Sequence, residues 1–442
     1  MKLYQLTHLT VLTFGFAVLL YSCQEDEIIT QQDILLNVKQ EMKPSGKNGT
    51  IKLADNNFEK LLIKLNYDSN GETGDILKTD AEKITTLSIK RDYNIEEFSE
   101  IRHFVNLTSL YCFNNKFDSL DVSKNISLTT LHCYNNEITS LDVSKNPMLT
   151  DLQCYNNQIK TLDVSKNPVL AELDCHNNDL TSLDLAKNPM LTELYCYNNK
   201  IPILDVSQNK LLVEFSIWNN HIETLDLSKN TRIRLLNVKH NRLKKVDLSK
   251  NTRIETLYIQ NNLLTELDLS KNTKITFLDC HKNNLTSIDL SKNTALTYFD
   301  CHKNFFTSLD FSKNLALKTV ICKNNELTSL NVSSNTGLEE LDCHKNELTC
   351  LDVSKNLKLT RLDIHNNQFK SIDLSQNAFL NAFVCHSNEL VTLNISENPA
   401  LVELDCSNNP MTCIQVNAIQ LSNLPLEWLK DALATYSDTP CN

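Results

Sequence analysis

Residues 341–356 read LDCHKNELTCLDVSKN, and the phrase Leu341 to Asn346 recurs ten positions on as Leu351 to Asn356, with Val353 where Cys343 stood. Stepping from Cys343 by 21 in both directions stays in one register. It runs through Cys112, Cys133, Cys154, Cys175 and Cys196, then Ile217, Val238 and Ile259, then Cys280, Cys301, Cys322, Cys343, Ile364, Cys385 and Cys406. An Asn follows each member by three residues, from Asn115 to Asn409, and a second Asn column runs from Asn125 to Asn398. A fixed period of this length is the mark of a solenoid, in which each turn packs only on its neighbours.

Each turn has the form L-x-x-L-x-C-x-x-N-x-L-x-x-L-D-V-S-K-N-x-x, seen in Leu128 to Met148. Leu-x-Cys and Leu-Asp-Val each lay a short strand with alternate side chains inward, and the remaining residues leave no room for a long helix. Leu128, Leu131, Cys133, Ile138, Leu141 and Val143 are the expected core of one turn. Six glycines and nine prolines in 442 residues are few, so Asn, which tolerates left-handed backbone, must turn the corners.

This pattern is similar to the leucine-rich repeat, in the nested variety whose half-turns both carry the motif. The resemblance covers residues 107–411. It implies a leucine-rich-repeat solenoid: a β-rich, right-handed coil of about fifteen 21-residue turns with two parallel sheets. A helical N-terminal cap over 53–106 and a C-terminal cap over 412–442 close the ends. Phe58 to Leu65 has helical spacing, Ile84 to Ile89 reads as a worn first strand, and Leu426 to Tyr436 reads as a helix covering the last coil. Asp68 to Asp75 has the look of a calcium loop, but Thr73 stands where that motif requires Gly, so a polar turn is expected.

Lys2, the apolar run Leu9 to Leu20 and the sequence Leu20-Tyr21-Ser22-Cys23 resemble a bacterial lipoprotein signal. That resemblance implies removal of residues 1–22 and lipidation of Cys23. Gln24 to Glu27 resembles the acidic tag that sends some Gram-negative lipoproteins to the outer face of the outer membrane. The expected address is therefore the outer membrane at the cell surface, with 23–52 a flexible tether and the lipid the only membrane contact. A secretory signal cleaved elsewhere is the alternative.

Eleven cysteines share one inward column with Ile and Val and are read as buried thiols. Cys413 and Cys441 lie outside it and are expected to pair in an oxidising compartment; Cys350 is read as a free thiol. With 43 Lys and Arg against 54 Asp and Glu, no net positive field invites nucleic acid.

The outward positions of the first strand are where the copies differ. The N-terminal half carries Tyr111, Phe113, Tyr134, Tyr155, Tyr195, Tyr197 and Trp218, a candidate ligand-binding strip, since exposed aromatics on a rigid sheet mark contact surfaces for sugars or peptides. The competing reading is that they only cover their neighbours. Later coils carry Asp279 with His281, Asp300 with His302, Asp342 with His344, Asp363 with His365, and His386. These repeat without an odd partner or a nucleophile, so a plain polar face is expected, with no catalytic residue, metal or cofactor; an ion approached by the stacked imidazoles, as zinc is by nitrogen ligands, is the alternative. The sequence thus points to a surface-anchored scaffold, not an enzyme, that binds an extracellular protein or glycan. A structural spacer or envelope lipoprotein without a specific ligand is the alternative.

Overall fold

The computed structural model describes residues 49–89, 95 and 98–441; the expected signal sequence, Cys23 and the tether up to residue 48 lie outside them. The last residues assigned to the tether are ordered. Thr50–Lys52 forms β1, which runs antiparallel to β2 (Asp75–Leu77). Between them α1 (Asn56–Lys64) is capped by Asp55, whose side chain accepts the Asn57 and Phe58 N–H groups at 2.7 and 3.1 Å. Such a cap satisfies donors that the first turn leaves orphaned. The helix turns Phe58, Leu61 and Leu62 into the core, and Phe58 meets Phe98 edge-on at 5.3 Å. The loop from Asp68 to Asp75 is closed by its own groups: Asn70 and Thr73 donate to the Asp75 carboxylate, and Glu59 Oε1 accepts the Thr73 and Gly74 N–H groups. It is a polar turn, as its residues suggested. A short helix α2 (Lys78–Ala81) leads into β3 (Thr86–Ser88).

From there the chain coils. After β4 (Ser109–Tyr111), thirteen strands, β5 to β17, follow at 21-residue steps from Thr130–His132 to Ala382–Val384, then β18 (Thr392–Asn394) and β19 (Glu403–Asp405). β3 to β17 and β19 form one sixteen-stranded sheet in chain order. Pairing is parallel and in register, with Leu236 opposite Leu257 and Leu341 opposite Leu362. The central residue of every strand in this sheet is buried and so is the column that follows it: Leu128, Leu131, Cys133, Ile138, Leu141 and Val143 are all 5 % exposed or less. The eleven column cysteines are free and buried, and Cys350 is a free, exposed thiol. Burial pushes the Cys112 thiol up to about 12.

The corners are built as the scarcity of glycine requires. At fifteen successive positions from Asn114 to Asn408 the backbone enters the left-handed region, with φ between 50 and 57°. Most of these residues are Asn, the type other than Gly that adopts this conformation most readily. Inside the corner the first Asn column holds neighbouring coils together. Asn241 donates to the carbonyls of Ile217, Val238 and Lys239 and accepts the Ile222 N–H at 3.0 Å. The second column is simpler: Asn146 donates to Val122 and Asn125 carbonyls of the previous coil.

Two expectations are corrected. The second parallel sheet is a ladder only at the C-terminal end, where β18, β20 (Cys413–Gln415) and β21 (Thr435–Ser437) pair. Elsewhere among the described residues the Leu-Asp-Val segments stack with a single isolated bridge, between Asp310 and Asn331. Their backbone groups are satisfied otherwise: the Asp side chain takes the N–H two residues on, as Asp352 does from Ser354 at 2.8 Å, and the Asn column takes the Val carbonyl. The expected helix over 426–436 is absent. Its apolar residues suggest a helix face, but Leu426 and Leu433 are exposed, and the segment continues the coil instead. Leu429 bridges Asp405, Trp428 is buried, and Thr435–Ser437 becomes β21. The short helix of this cap is α3 (Ala418–Ser422), opened by a capping box between Asn417 and Gln420. Cys413 and Cys441 are joined as a disulfide with a Cα–Cα separation of 5.8 Å.

Candidate functional site

Because the strands are in register, residues 21 apart stack directly on the outer face of the sheet. Phe113, Tyr134, Tyr155, His176, Tyr197 and Trp218 form one continuous pile, with successive ring centroids 4.5, 4.3, 4.3, 4.1 and 4.6 Å apart and planes within 13° of parallel. His176 is the member that sequence reasoning passed over. It lies 21 residues from both Tyr155 and Tyr197, and only the restriction of the strip to Phe, Tyr and Trp hid it. Its Nδ1 lies 2.5 Å from Asp174. Beyond Trp218 the pile is closed by Lys239, whose ammonium lies 4.7 Å from the ring centroid, a cation–π contact.

This geometry corrects the picture of free aromatic faces. Each internal ring has both faces covered by its neighbours, so the pile shows solvent its edges and hydroxyls; His176 is buried and the other members are partly buried. Burial raises the Tyr155 phenol far above its usual range and pushes Tyr197 to about 12. Tyr111 and Tyr195 stand in the adjacent column. Tyr111 meets His132 edge-on at 5.0 Å. Tyr195 donates to Glu214 at 2.6 Å and lies 3.2 Å from Glu193.

Beside the rings runs a file of acids, Asp151, Glu172, Glu193 and Glu214, the first residues of successive strands. His132 lies 2.6 Å from Asp151, and Gln153 donates to Glu172 at 3.0 Å. Burial, then the charges of Asp151 and Glu193, push the Glu172 carboxyl up to about 7; burial and Glu214 raise Glu193. The face therefore carries closely spaced negative charge against aromatic edges, a surface suited to cationic and amide side chains.

In the C-terminal half the same columns hold Asp and His. Nδ1 of His281, His302, His344 and His365 lies 2.6, 2.7, 2.6 and 2.5 Å from Asp279, Asp300, Asp342 and Asp363 respectively. The rings stack in blocks, His281 on His302, and His344 on His365 on His386. Burial opposes ionisation of Asp342, but His344 and Lys323 hold its carboxyl below the usual range.

No helix among the described residues is long and apolar enough to cross a membrane. No protein-family model and no curated protein matches the chain. Solved structures do match. The functional domain of InlJ from Listeria monocytogenes, described as including a cysteine ladder, is 33% identical with a TM-score of 0.68, over 84% of this chain and 78% of that one. A leucine-rich-repeat protein of Leptospira interrogans shares the fold at 18% identity and a TM-score of 0.62, over 80% of this chain and 97% of that one. So does the plant peptide hormone receptor RGFR1, solved with RGF2, at 19% identity and 0.62, over 80% and 66%. With its 21-residue coils, parallel sheet, Asn corners and buried Cys column, this chain belongs to the leucine-rich-repeat family.

Proposed function

We propose that this protein is a lipid-anchored, cell-surface scaffold that binds an extracellular protein through the strand face between Tyr111 and Trp218. The observation that carries the reading is the ring pile together with the file of Asp151, Glu172, Glu193 and Glu214, which runs parallel to it on the far side of the His132, Gln153, Asp174 and Tyr195 column. A sheet gains no stability from a row of acids in which burial and neighbouring charge push up the Glu172 and Glu193 carboxyls, so their placement has to be explained by what they meet. Because the ring faces are occupied by one another, stacking of sugars on them is not available along the pile. Hydroxyl edges and carboxylates instead fit an extended segment rich in Lys, Arg or amide side chains. A plant peptide hormone receptor of this fold has been solved in complex with RGF2, which supports a protein or peptide partner in general, and a glycan ligand or a spacer without ligand are the readings to beat.

The test is an array of extracellular proteins and glycans probed with the full chain. Replacing Tyr134, Tyr155 and Tyr197 together by Phe keeps the pile and removes its hydroxyls, and Glu193→Gln with Glu214→Gln removes charge. Either set should weaken a captured protein by ~2–4 kcal/mol, the scale of hot-spot truncation, with no lowering of the circular dichroism melt. Capture of glycans alone, or full affinity in both sets, rules the site out. For the anchor, Cys23→Ala should move the protein from the membrane fraction to the soluble one, and protease added to whole cells should remove the wild-type ectodomain. An ectodomain protected in intact cells would place it on the periplasmic side.

A further inference from the structure

Two of the His/Asp blocks differ from every other part of the strand face in a way that a plain polar surface does not require. Asp-x-His occurs on adjacent coils only twice, at Asp279/His281 with Asp300/His302 and at Asp342/His344 with Asp363/His365. In both blocks the carboxylate of the second coil reaches back to the first histidine. Asp300 puts Oδ1 2.7 Å from His302 Nδ1 and Oδ2 3.7 Å from His281 Nδ1. Asp363 repeats this, with Oδ1 2.5 Å from His365 Nδ1 and Oδ2 3.5 Å from His344 Nδ1. In each block the two imidazoles and the shared carboxylate each present one donor atom within 4.8 Å of the others.

In the first block the carboxylates are buried with histidine as their near partner. Asp279, Asp300, Asp342 and Asp363 are all buried, and among the described residues the basic groups within ion-pair distance of Asp279 and Asp300 are His281 and His302. Two carboxylates buried without a fixed cation in contact are costly. The two rings beside them stack with centroids 4.0 Å apart. A divalent cation held between rings and carboxylate relieves this, since it supplies positive charge to the buried acids and takes nitrogen ligands from the rings. Two imidazole nitrogens and a carboxylate oxygen are an N/O donor set of the kind zinc takes at ~2.0–2.2 Å. On binding, each ring gives up its Nδ1 proton and carries its hydrogen on Nε2 instead, so a neutral imidazole changes tautomer and no proton is lost overall.

We infer that the chain carries two zinc-class metal sites on its strand face, one formed by His281, Asp300 and His302 with Asp279 beside them, the other by His344, Asp363 and His365 with Asp342. The second is the weaker, because Lys323 already occupies an Asp342 oxygen at 2.9 Å. Two features elsewhere in the chain mark where such a site stops. His176 has Asp174 but no carboxylate from the next coil, where Tyr195 stands, and His386 has Val384 where an Asp would be needed.

The experiment is calorimetric titration of zinc into the untagged full chain carrying Cys23→Ser and Cys350→Ser, so that neither thiol competes, with bound metal counted by elemental analysis after gel filtration. The expected result is two zinc ions per chain, one after His302→Ala, and none after His302→Ala with His365→Ala. The isosteric Asp300→Asn should also abolish the first site, so the outcome does not hang on a variant that folds poorly. His176→Phe, which keeps a ring in the aromatic pile, should leave both ions bound. No uptake from micromolar zinc, or uptake that survives His302→Ala with His365→Ala, overturns the proposal.

Discussion

The coils from Phe113 to Trp218 and the coils from Asp279 to His386 have the same backbone, the same inward column and the same strand register, and they differ in what points outward. In the first stretch, rings stacked at ~4.8 Å repeat satisfy one another: each face finds a face, and the pile holds together without a partner. In the second, the same spacing sets carboxylate beside carboxylate and imidazole beside imidazole, so that buried acids depend for opposite charge on the histidines and, at Asp342, on Lys323. A rigid in-register solenoid multiplies whatever occupies a column. Apolar rings become cohesion, while ionisable groups become a binding requirement.

The comparison holds only if the framework beneath both stretches is equivalent, and the sharpest way to break it lies inside. Asn178 donates to the carbonyls of Cys154, Cys175 and His176 and accepts the Ile159 N–H. Asn304 donates to those of Cys280 and Cys301 and accepts the Leu285 N–H. Asn178→Leu and Asn304→Leu each strand several buried backbone groups at ~1–3 kcal/mol apiece, so each should lose a few kcal/mol in denaturant unfolding, and by the same amount. A difference beyond ~1 kcal/mol would show that the two halves are not one framework with two faces.

A smaller effect separates the faces themselves. Glu172, in the aromatic half, has its carboxyl raised to about 7 by burial and by Asp151 and Glu193. A folded-state pKa above the unfolded one means that the native state holds the proton more tightly. Stability from this group is therefore full below about 4.5 and falls as pH rises toward about 7. Glu172→Gln should leave the thermal midpoint unchanged near pH 4 and raise it above neutrality. A midpoint lowered at pH 8 would mean that the Gln153–Glu172 hydrogen bond outweighs the crowding of charge.

How much of this was legible in the residues depends on what kind of fact is asked. Columns were legible, because a period of 21 without insertion assigns each residue to a face, and the buried Cys column and Asn corners follow from counting. Orientation within a column was not. Tyr155 and Tyr197 read as exposed rings, but only the structure shows their planes lying against His176, so that edges rather than faces meet solvent. The second sheet misled for a related reason: Leu-Asp-Val alternates like a strand, while the Asp side chain takes the N–H two residues on and builds a turn in place of a ladder. At the C-terminal end, Leu426, Leu429 and Leu433 have helix-like spacing, but tertiary pairing with Asp405 and with β20 overrides it.

The smallest expected effect concerns the corners, where the two halves also differ. The aromatic half places Asn114, Asn135, Asn156, Asn177, Asn198 and Asn219 in the left-handed region, while the His/Asp half uses Lys282, Lys303, Lys345 and Ser387 among its Asn residues, at the same φ. In the first set the side chains also form a ladder, each amide donating to the Asn one coil before it, as Asn219 does to Asn198 at 2.7 Å. Lysine has no such partner to offer, and left-handed backbone costs an ordinary L-residue ~1–2 kcal/mol, less for Asn. Lys282→Asn and Lys303→Asn should therefore each stabilise the chain by about 0.5–1 kcal/mol in denaturant unfolding. Asn198→Lys should cost more than either gains, because it breaks the ladder to Asn177 and Asn219 as well as straining the corner. If the two lysine replacements leave the midpoint unmoved while Asn198→Lys lowers it, conformation is not what separates the corners, and the Asn run of the aromatic half is kept for its ladder alone.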